Sequence, residues 1–360
     1  MPGDGPRRFR TLDGLRGLGA LAVMALHIGS FGPASFFGGR FGRGYLAVDL
    51  FFVLSGVVLA EAYSGRLSRG LGPGGLLRVR VVRLYPLYVL PMVVAACMKL
   101  AHIRFGGNAQ NWTPAGVLGS LGLSLLMLPT PFFHELYPLI ATAWSLLYEL
   151  GVNLLWAGSR PWLTTRTLLC AAALAGSGLA FLARDQGVGG GMFWGWQQAG
   201  LGTCRVLYSF SAGLLIHGVD RSRLPRVSPW LLLGLAGAAL CGEPPEAWGP
   251  AYDLAVVLAL WPACVLLAAA SEPARAWEAR IFAFLGDASY GIYMIHIQAV
   301  SWAYQAVRLL RLEPGPWCGV AAMAAVVAAA GLLDRVWDRP ARRWLAARLL
   351  GAQPGHGAGA

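Results

Sequence analysis

Long apolar runs alternate with short polar breaks along the whole chain. A membrane helix needs roughly 20 consecutive apolar residues. Runs of about that length fall at residues 12–31, 45–63, 81–100, 137–157, 166–183, 200–219, 229–242, 252–270, 284–307 and 317–336. One further run, 115–128, is bounded by Pro114 and Pro129 and is short for a full crossing. Apolar runs of roughly 10–14 residues are more often re-entrant, interfacial or buried. The pattern predicts an all-α fold: a polytopic membrane helix bundle of about ten transmembrane helices plus a short re-entrant or half helix.

The arginines in the breaks set an orientation. Cytoplasmic loops of membrane proteins carry the excess of Lys and Arg. Residues 64–83 hold Arg66, Arg69, Arg78, Arg80 and Arg83, whereas residues 32–44 hold only Arg40 and Arg43. The basic N-terminal arm, with Arg7, Arg8 and Arg10, therefore lies on the same side as residues 64–83, inside. Counting 115–128 as a full span would put Arg160, Arg166, Arg221, Arg223 and Arg226 outside, with the arginine-free break 241–251 inside. Counting it as a half helix restores the rule downstream. Both termini are then cytoplasmic, consistent with Arg339, Arg342 and Arg343 near the C-terminus. Residues 1–350 read as a single transmembrane domain, and 351–360 as a Gly/Ala tail with too little apolar content to order itself.

Composition narrows the function classes. Hydrophobic residues make up 56% of the chain and charged residues 13%, against about 25% charged in a soluble domain. A sizeable soluble domain has no room beside the spans. In a soluble protein a net charge of +12 would suggest nucleic acid. Here the arginines punctuate apolar runs, so the basic balance speaks for a lipid bilayer and against nucleic acid. The six cysteines show no CxxC spacing, so neither a disulfide framework nor a zinc site is indicated. No metal is expected.

Within the runs, a few polar residues carry the candidate chemistry. Arg16 and His27 stand eleven positions apart in the first run, which puts them within ~20° of one helix face and ~16 Å apart along the axis. Ionisable groups inside a membrane span are functional candidates by default. The competing reading has Arg16 snorkelling to one interface and His27 at the other. In the second run, Asp49 needs an Arg, a His or its own protonation, while Ser55 and Gly56 suit a helix–helix contact. Arg80 and Arg83, three apart, share a face. Two guanidinium forks there suit phosphate oxygens, or they grip lipid headgroups. In Trp144-Ser145-Leu146-Leu147-Tyr148-Glu149, Ser145 and Glu149 share one face and Trp144 is expected to stack over Tyr148. His296, closing Ser289-Tyr290-Gly291-Ile292-Tyr293-Met294-Ile295-His296, reads as a satisfied interior histidine rather than a catalyst.

Taken in order, these stretches resemble the acyltransferase 3 family of integral-membrane enzymes that O-acylate sugars and antibiotics. The residues that carry the likeness are Leu12-Asp13-Gly14-Leu15-Arg16-Gly17, His27, Phe51-Phe52-Val53-Leu54-Ser55-Gly56, Arg80-Val81-Val82-Arg83-Leu84-Tyr85-Pro86 and Trp144 to Glu149. Asp338-Arg339-Pro340 departs from the pattern, since relatives often carry a Glu before this Pro. The resemblance implies an acyl-CoA donor, acetyl-CoA first among them, used as a substrate with no permanently bound cofactor. It implies a hydroxyl acceptor on a carbohydrate, cell-envelope glycan or glycosylated metabolite. It makes the Arg and His of the first helix essential, which maps to Arg16 and His27, with His27 as general base. Glu149 joins them as a catalytic candidate; Arg80, Arg83, Ser55, Trp144, Ser145 and Tyr85 are the substrate-binding candidates. The expected place is the bacterial inner membrane, the core acting alone or with a separate acceptor-side partner protein. The alternative function is a proton-coupled transporter using Asp49, Glu149 and His27 as a relay.

Overall fold

The computed structural model describes residues 8–31, 41–105, 112–185, 187–189, 195–313 and 315–351. Most of the basic arm, residues 32–40 with Arg40, and the tail beyond 351 lie outside the described residues. Thirteen α-helices account for most of the described chain, with no strand among its elements: α1 (Arg10–Phe31), α2 (Ala47–Ser68), α3 (Pro73–Arg104), α4 (Pro114–Leu125), α5 (Trp144–Ser159), α6 (Thr165–Leu182), α7 (Ala199–His217), α8 (Pro229–Leu240), α9 (Gly249–Ala255), α10 (Trp261–Ala270), α11 (Ala276–Leu309), α12 (Pro316–Leu333) and α13 (Arg339–Leu349). Two short π-helical stretches, Val256–Leu260 and Asp334–Asp338, join α9 to α10 and α12 to α13.

Seven of these helical segments are long and apolar enough to cross a membrane: α1, α2, α3, α6, α7, α9–α10 and α12–α13. Four other helices fall outside that group, α4 among them. α5 has 16 residues and α8 has 12, while α11 has 34 and carries many polar side chains. The polar break predicted at 64–83 contracts to four residues between α2 and α3. Arg is a good helix former, so Arg66, Arg78 and Arg80 are carried on helices rather than in a loop. Pro73 opens α3 at its first turn, where the missing N–H costs nothing. The run 115–128 is the 12-residue helix α4, about 18 Å long. Its C-terminal carbonyls, those of Ser124 and Leu125, accept hydrogen bonds of 2.8 Å from Tyr88 and Tyr85 in the middle of α3.

Side-chain contacts fix the direction of each helix. α1 and α11 run in parallel: Asp13 lies against Gly286, Gly17 against Leu285, and His27 against His296. A Cβ on Gly17 would come within 2.3 Å of the Leu285 side chain, so the two axes approach as closely as glycine allows. α2 and α7 also run in parallel. Asp49 pairs with Arg205, Gly56 faces Gly213, and Glu61 reaches His217 and Arg221. A Cβ on Gly56 would sit 2.5 Å from the Phe210 carbonyl oxygen, and one on Gly213 would sit 2.3 Å from that of Val53. Gly56 is therefore the close-approach residue the sequence suggested. α5 runs against α3, with Glu149 beside Arg80 and Gly158 beside Pro73. α1, α3, α6, α8 and α11 thus point one way; α2, α5, α7, α9–α10 and α12 point the other. The core lies between α1, α2, α7, α10 and α11, where Leu12, Leu15, Met24, Ile28, Leu46, Phe210 and Trp261 are fully buried.

Candidate active site

Two levels of polar side chains lie inside the bundle, one near Arg16 and one near His27. At the Arg16 level, Arg80 on α3 and Glu149 on α5 form an ion pair through Nη2 and Oε1. Arg80 is buried and Glu149 half-buried. Antiparallel packing of α3 and α5 brings the two together, and neither helix alone could neutralise its own charge. Arg83, one turn along α3, is half-buried and makes no hydrogen bond among the described residues. It lies within electrostatic reach of Arg16, Arg80, Tyr63 and Glu149. Arg16 itself bonds to Asp13 Oδ1 at 3.3 Å, and Asp13 also holds Arg8 at 2.8 Å. Three guanidinium groups therefore converge from α1 and α3, and among the described residues Glu149 and a shared Asp13 are the acids bonded to them. A surplus of planar forks in a partly buried place suits an anion with several oxygens, a phosphate above all.

At the other level His27 meets His296. The Nδ1 of His27 lies 2.8 Å from the Val23 carbonyl oxygen and 3.2 Å from Nε2 of His296. The Nδ1 of His296 lies 3.1 Å from the Ile292 carbonyl oxygen. A carbonyl only accepts, so in both neutral rings the proton belongs on Nδ1. His27 then shares its single Nδ1–H between the Val23 carbonyl and the Nε2 lone pair of His296, and carries its own lone pair on Nε2. Tyr293, one turn before His296, packs its ring 5.8 Å from the imidazole and edge-on to Phe51. Its hydroxyl is 2.9 Å from Ser145 Oγ, which is itself bonded to the Thr142 carbonyl at 3.0 Å. Ser145 is thus tied to the histidine level through Tyr293, while Glu149, four residues on, belongs to the Arg16 level. The stripe predicted on α5 connects the two.

The remaining predicted residues divide. Ser55 is half-buried, on the Phe51 stripe of α2 one turn away, and its hydroxyl has no hydrogen-bond partner among the described residues. Tyr85 gives its hydroxyl to the Leu125 carbonyl and fastens α4 to α3. Trp144 meets Tyr148 edge-on, at 5.6 Å and 78°, rather than stacked. Its indole also lies 6.0 Å from the Arg205 guanidinium carbon, a cation–π distance. Asp49 finds its partner in Arg205, which grips both carboxylate oxygens and also donates to the Tyr45 carbonyl at 3.2 Å. The sequence declares the need of Asp49 for a partner without pointing to Arg205. The signal was present: a single arginine inside an apolar helix needs an acid, and a single aspartate in another needs a base. His296 was readable in the same way, because Ser289, Tyr293 and His296 repeat at i, i+4 and i+7 and share one face. Among the described residues no three His, Cys, Asp or Glu side chains group as metal ligands would.

No solved structure matches the chain. Among characterised sequences, "Protein 2 in picA locus" of Rhizobium radiobacter is 41% identical over 162 residues, which is 42% of this chain and 82% of that protein. The family described as "Acyltransferase domain" (Acyl_transf_3) matches residues 9–335, from the turn before α1 to the stretch between α12 and α13, and so takes in both polar levels. The chain belongs to the acyltransferase 3 family and is an integral-membrane acyltransferase.

Proposed function

We propose that this protein moves an acyl group, acetyl in the first instance, from acyl-CoA to a hydroxyl of a carbohydrate, cell-envelope glycan or glycosylated metabolite. The observation that carries this reading is the pairing, on one helix and about three turns apart, of a guanidinium-rich level at Arg16 with an imidazole level at His27. Arg80 and Arg83, with Arg16, receive the phosphates of the donor, and the pantetheine arm extends along α1 so that the thioester lies beside His27. Glu149 holds Arg80 in place for that contact. Ser55, Trp144 and Ser145 line or support the path; Tyr85 acts through α4.

In the transfer step the acceptor oxygen attacks the thioester carbonyl as its proton passes to His27 Nε2. The tetrahedral intermediate collapses, the C–S bond breaks, and the CoA thiolate takes the proton back from His27. The products are an ester and CoA–SH. General-base catalysis of this kind contributes typically ~10²–10⁴-fold, and holding donor and acceptor together adds an orientation term.

The membrane arrangement that fits is ten crossings, five in each direction, with α4 as a half helix. Both termini face the cytoplasm of a bacterial inner membrane, and the Arg16 level opens to cytoplasmic acyl-CoA. Residues 1–350 act as one domain, and 351–360 take no part in the site. The acceptor is met at the His27 end, by the membrane core alone or with a separate partner protein.

The test is to supply purified protein in lipid with acyl-labelled acyl-CoA and a panel of glycans and glycosides. Label should appear in ester linkage on an acceptor, and His27→Ala should lower the transfer by ~10²-fold or more while the protein stays folded. Solute that crosses the membrane with no covalent label, or a His27→Ala variant of full activity, overturns the reading.

A further inference from the structure

We infer that His296 is a positioning residue for His27, holding the ring of the base through its Nδ1 and supporting the positive charge that ring acquires during transfer. This rests on the reading of His27 as the general base. The geometry is specific. His296 commits its own Nδ1–H to the Ile292 carbonyl at 3.1 Å, which leaves Nε2 able only to accept. That nitrogen lies 3.2 Å from Nδ1 of His27, and the ring centroids are 4.9 Å apart. His27 Nδ1 also has the Val23 carbonyl at 2.8 Å, from its own helix. The Val23 contact ties the imidazole to α1; the His296 contact ties it to α11. Together they fix the ring plane and the tautomer, and so the direction in which Nε2 presents its lone pair. His296 is buried with 0% of its surface exposed, and Tyr293 packs beside it with Phe51 edge-on behind Tyr293, so the acceptor nitrogen is held rather than chosen from several rotamers.

The chemistry explains why an imidazole suits this position. When Nε2 of His27 takes the acceptor's proton, the ring becomes an imidazolium and its Nδ1–H bond becomes charge-assisted, roughly twice as strong as its neutral form. A carboxylate could do the same, but it would bring an unpaired buried charge into the resting state, which costs several kcal/mol. A neutral imidazole strengthens its bond only when the charge appears. The interaction therefore favours the transition state over the ground state, and its loss should appear in kcat rather than in donor KM.

The experiment compares three substitutions in the full-length protein reconstituted in lipid: His296→Leu, His296→Gln and His296→Asn. The Gln amide reaches the place of Nε2 and can accept the His27 N–H; the Asn amide stops near Nδ1 and cannot. His296→Leu and His296→Asn should lower kcat by on the order of 10- to 100-fold, as loss of a hydrogen bond to a charged group does, with KM for acyl-CoA unchanged. His296→Gln should recover most of the rate. In a His27→Ala background His296→Leu should have little further effect, because the two act as a unit. Equal rates for Gln and Asn, full activity of the Leu variant, or loss of folded protein in both amide variants would overturn the inference. An active His27→Ala protein would instead overturn the base itself, so the two failures are distinguishable.

Discussion

The Asp49–Arg205 pair offers the most quantitative test of the fold. Asp49 has 0% and Arg205 1% of its side chain exposed, and Arg205 meets both carboxylate oxygens and the Tyr45 carbonyl. Taking one partner away leaves the other charge buried and alone, which costs about 3–5 kcal/mol. Arg205→Leu and Asp49→Leu should each lose that much, roughly two to three and a half decades in the unfolding equilibrium. Replacing both, as Asp49→Leu with Arg205→Leu, removes both desolvation penalties and leaves mainly the Tyr45 carbonyl without its donor. That residual is about 1–3 kcal/mol. The double variant should therefore be more stable than Arg205→Leu alone, and the two effects should be far from additive. Reversible unfolding in mixed lipid–detergent micelles, followed by tryptophan fluorescence, gives the four corners of the cycle. Single variants within ~1 kcal/mol of the parent would mean that water or alternative partners reach the pair, and additive losses would mean that the two side chains do not share one interaction. Either result would refute the argument.

Three further outcomes are expected. Replacing both Arg80 and Arg83 by Gln should raise the KM for acyl-CoA more than it lowers kcat, and an unchanged donor dependence would return them to gripping lipid headgroups. Gly56→Leu should cut the yield of folded protein sharply, since a Cβ there meets the Phe210 carbonyl at 2.5 Å, whereas Gly29→Ala, with nothing within 4 Å, should leave the yield and the micellar unfolding equilibrium unchanged. In a cysteine-free background a thiol at Glu246 should react with an impermeant reagent added from outside and one at Ser222 should not, the reverse pattern overturning the half-helix topology.

Much of the fold is legible because a bilayer leaves the chain few choices. With no water to satisfy backbone groups, apolar runs become helices, and the distribution of arginines, rather than length, sets α4 apart from the equally short α8. What the sequence hides is partnership. Arg80 and Arg83 look like a matched phosphate clamp when only α3 is considered, yet Arg80 is committed to Glu149 on α5 while Arg83 makes no hydrogen bond among the described residues. Asp49 declares a need, and its answer lies 156 positions away at Arg205. His27 and His296 are 269 residues apart, and only the parallel packing of α1 on α11 sets them side by side. α2, α3 and α11 extend beyond their apolar runs for a related reason: hydropathy stops at the first arginine, whereas arginine continues a helix readily. The order of motifs survives in the sequence, and the pairings between helices do not.

These pairings bear on why a bundle with so many ionisable groups would carry out acyl transfer rather than move protons. Asp49 and Glu149, the two carboxylates a relay would need, are each held by a guanidinium, Arg205 and Arg80. A carboxylate in such a pair is a poor proton carrier, because accepting a proton would strand its buried partner. At the histidine level the groups that touch one another are His27, His296, Tyr293, Ser145 and backbone carbonyls. On the proposed reading this division serves the transfer. The charged level gives the donor's phosphates their counter-ions, and the thioester then lies beside His27, where the nearby Arg205 charge is already taken up by Asp49. There the proton leaving the acceptor hydroxyl finds the imidazole as its acceptor, while a neutral acceptor behind that imidazole keeps it aligned without competing for the proton. A carboxylate introduced at position 296 is the perturbation that separates these demands. His296→Glu should either stay protonated and behave as a weak mimic of Gln, or ionise and weaken the packing of α11 on α1. In neither case should it surpass the parent in kcat, and a faster His296→Glu enzyme would show that the histidine level tolerates a fixed negative charge.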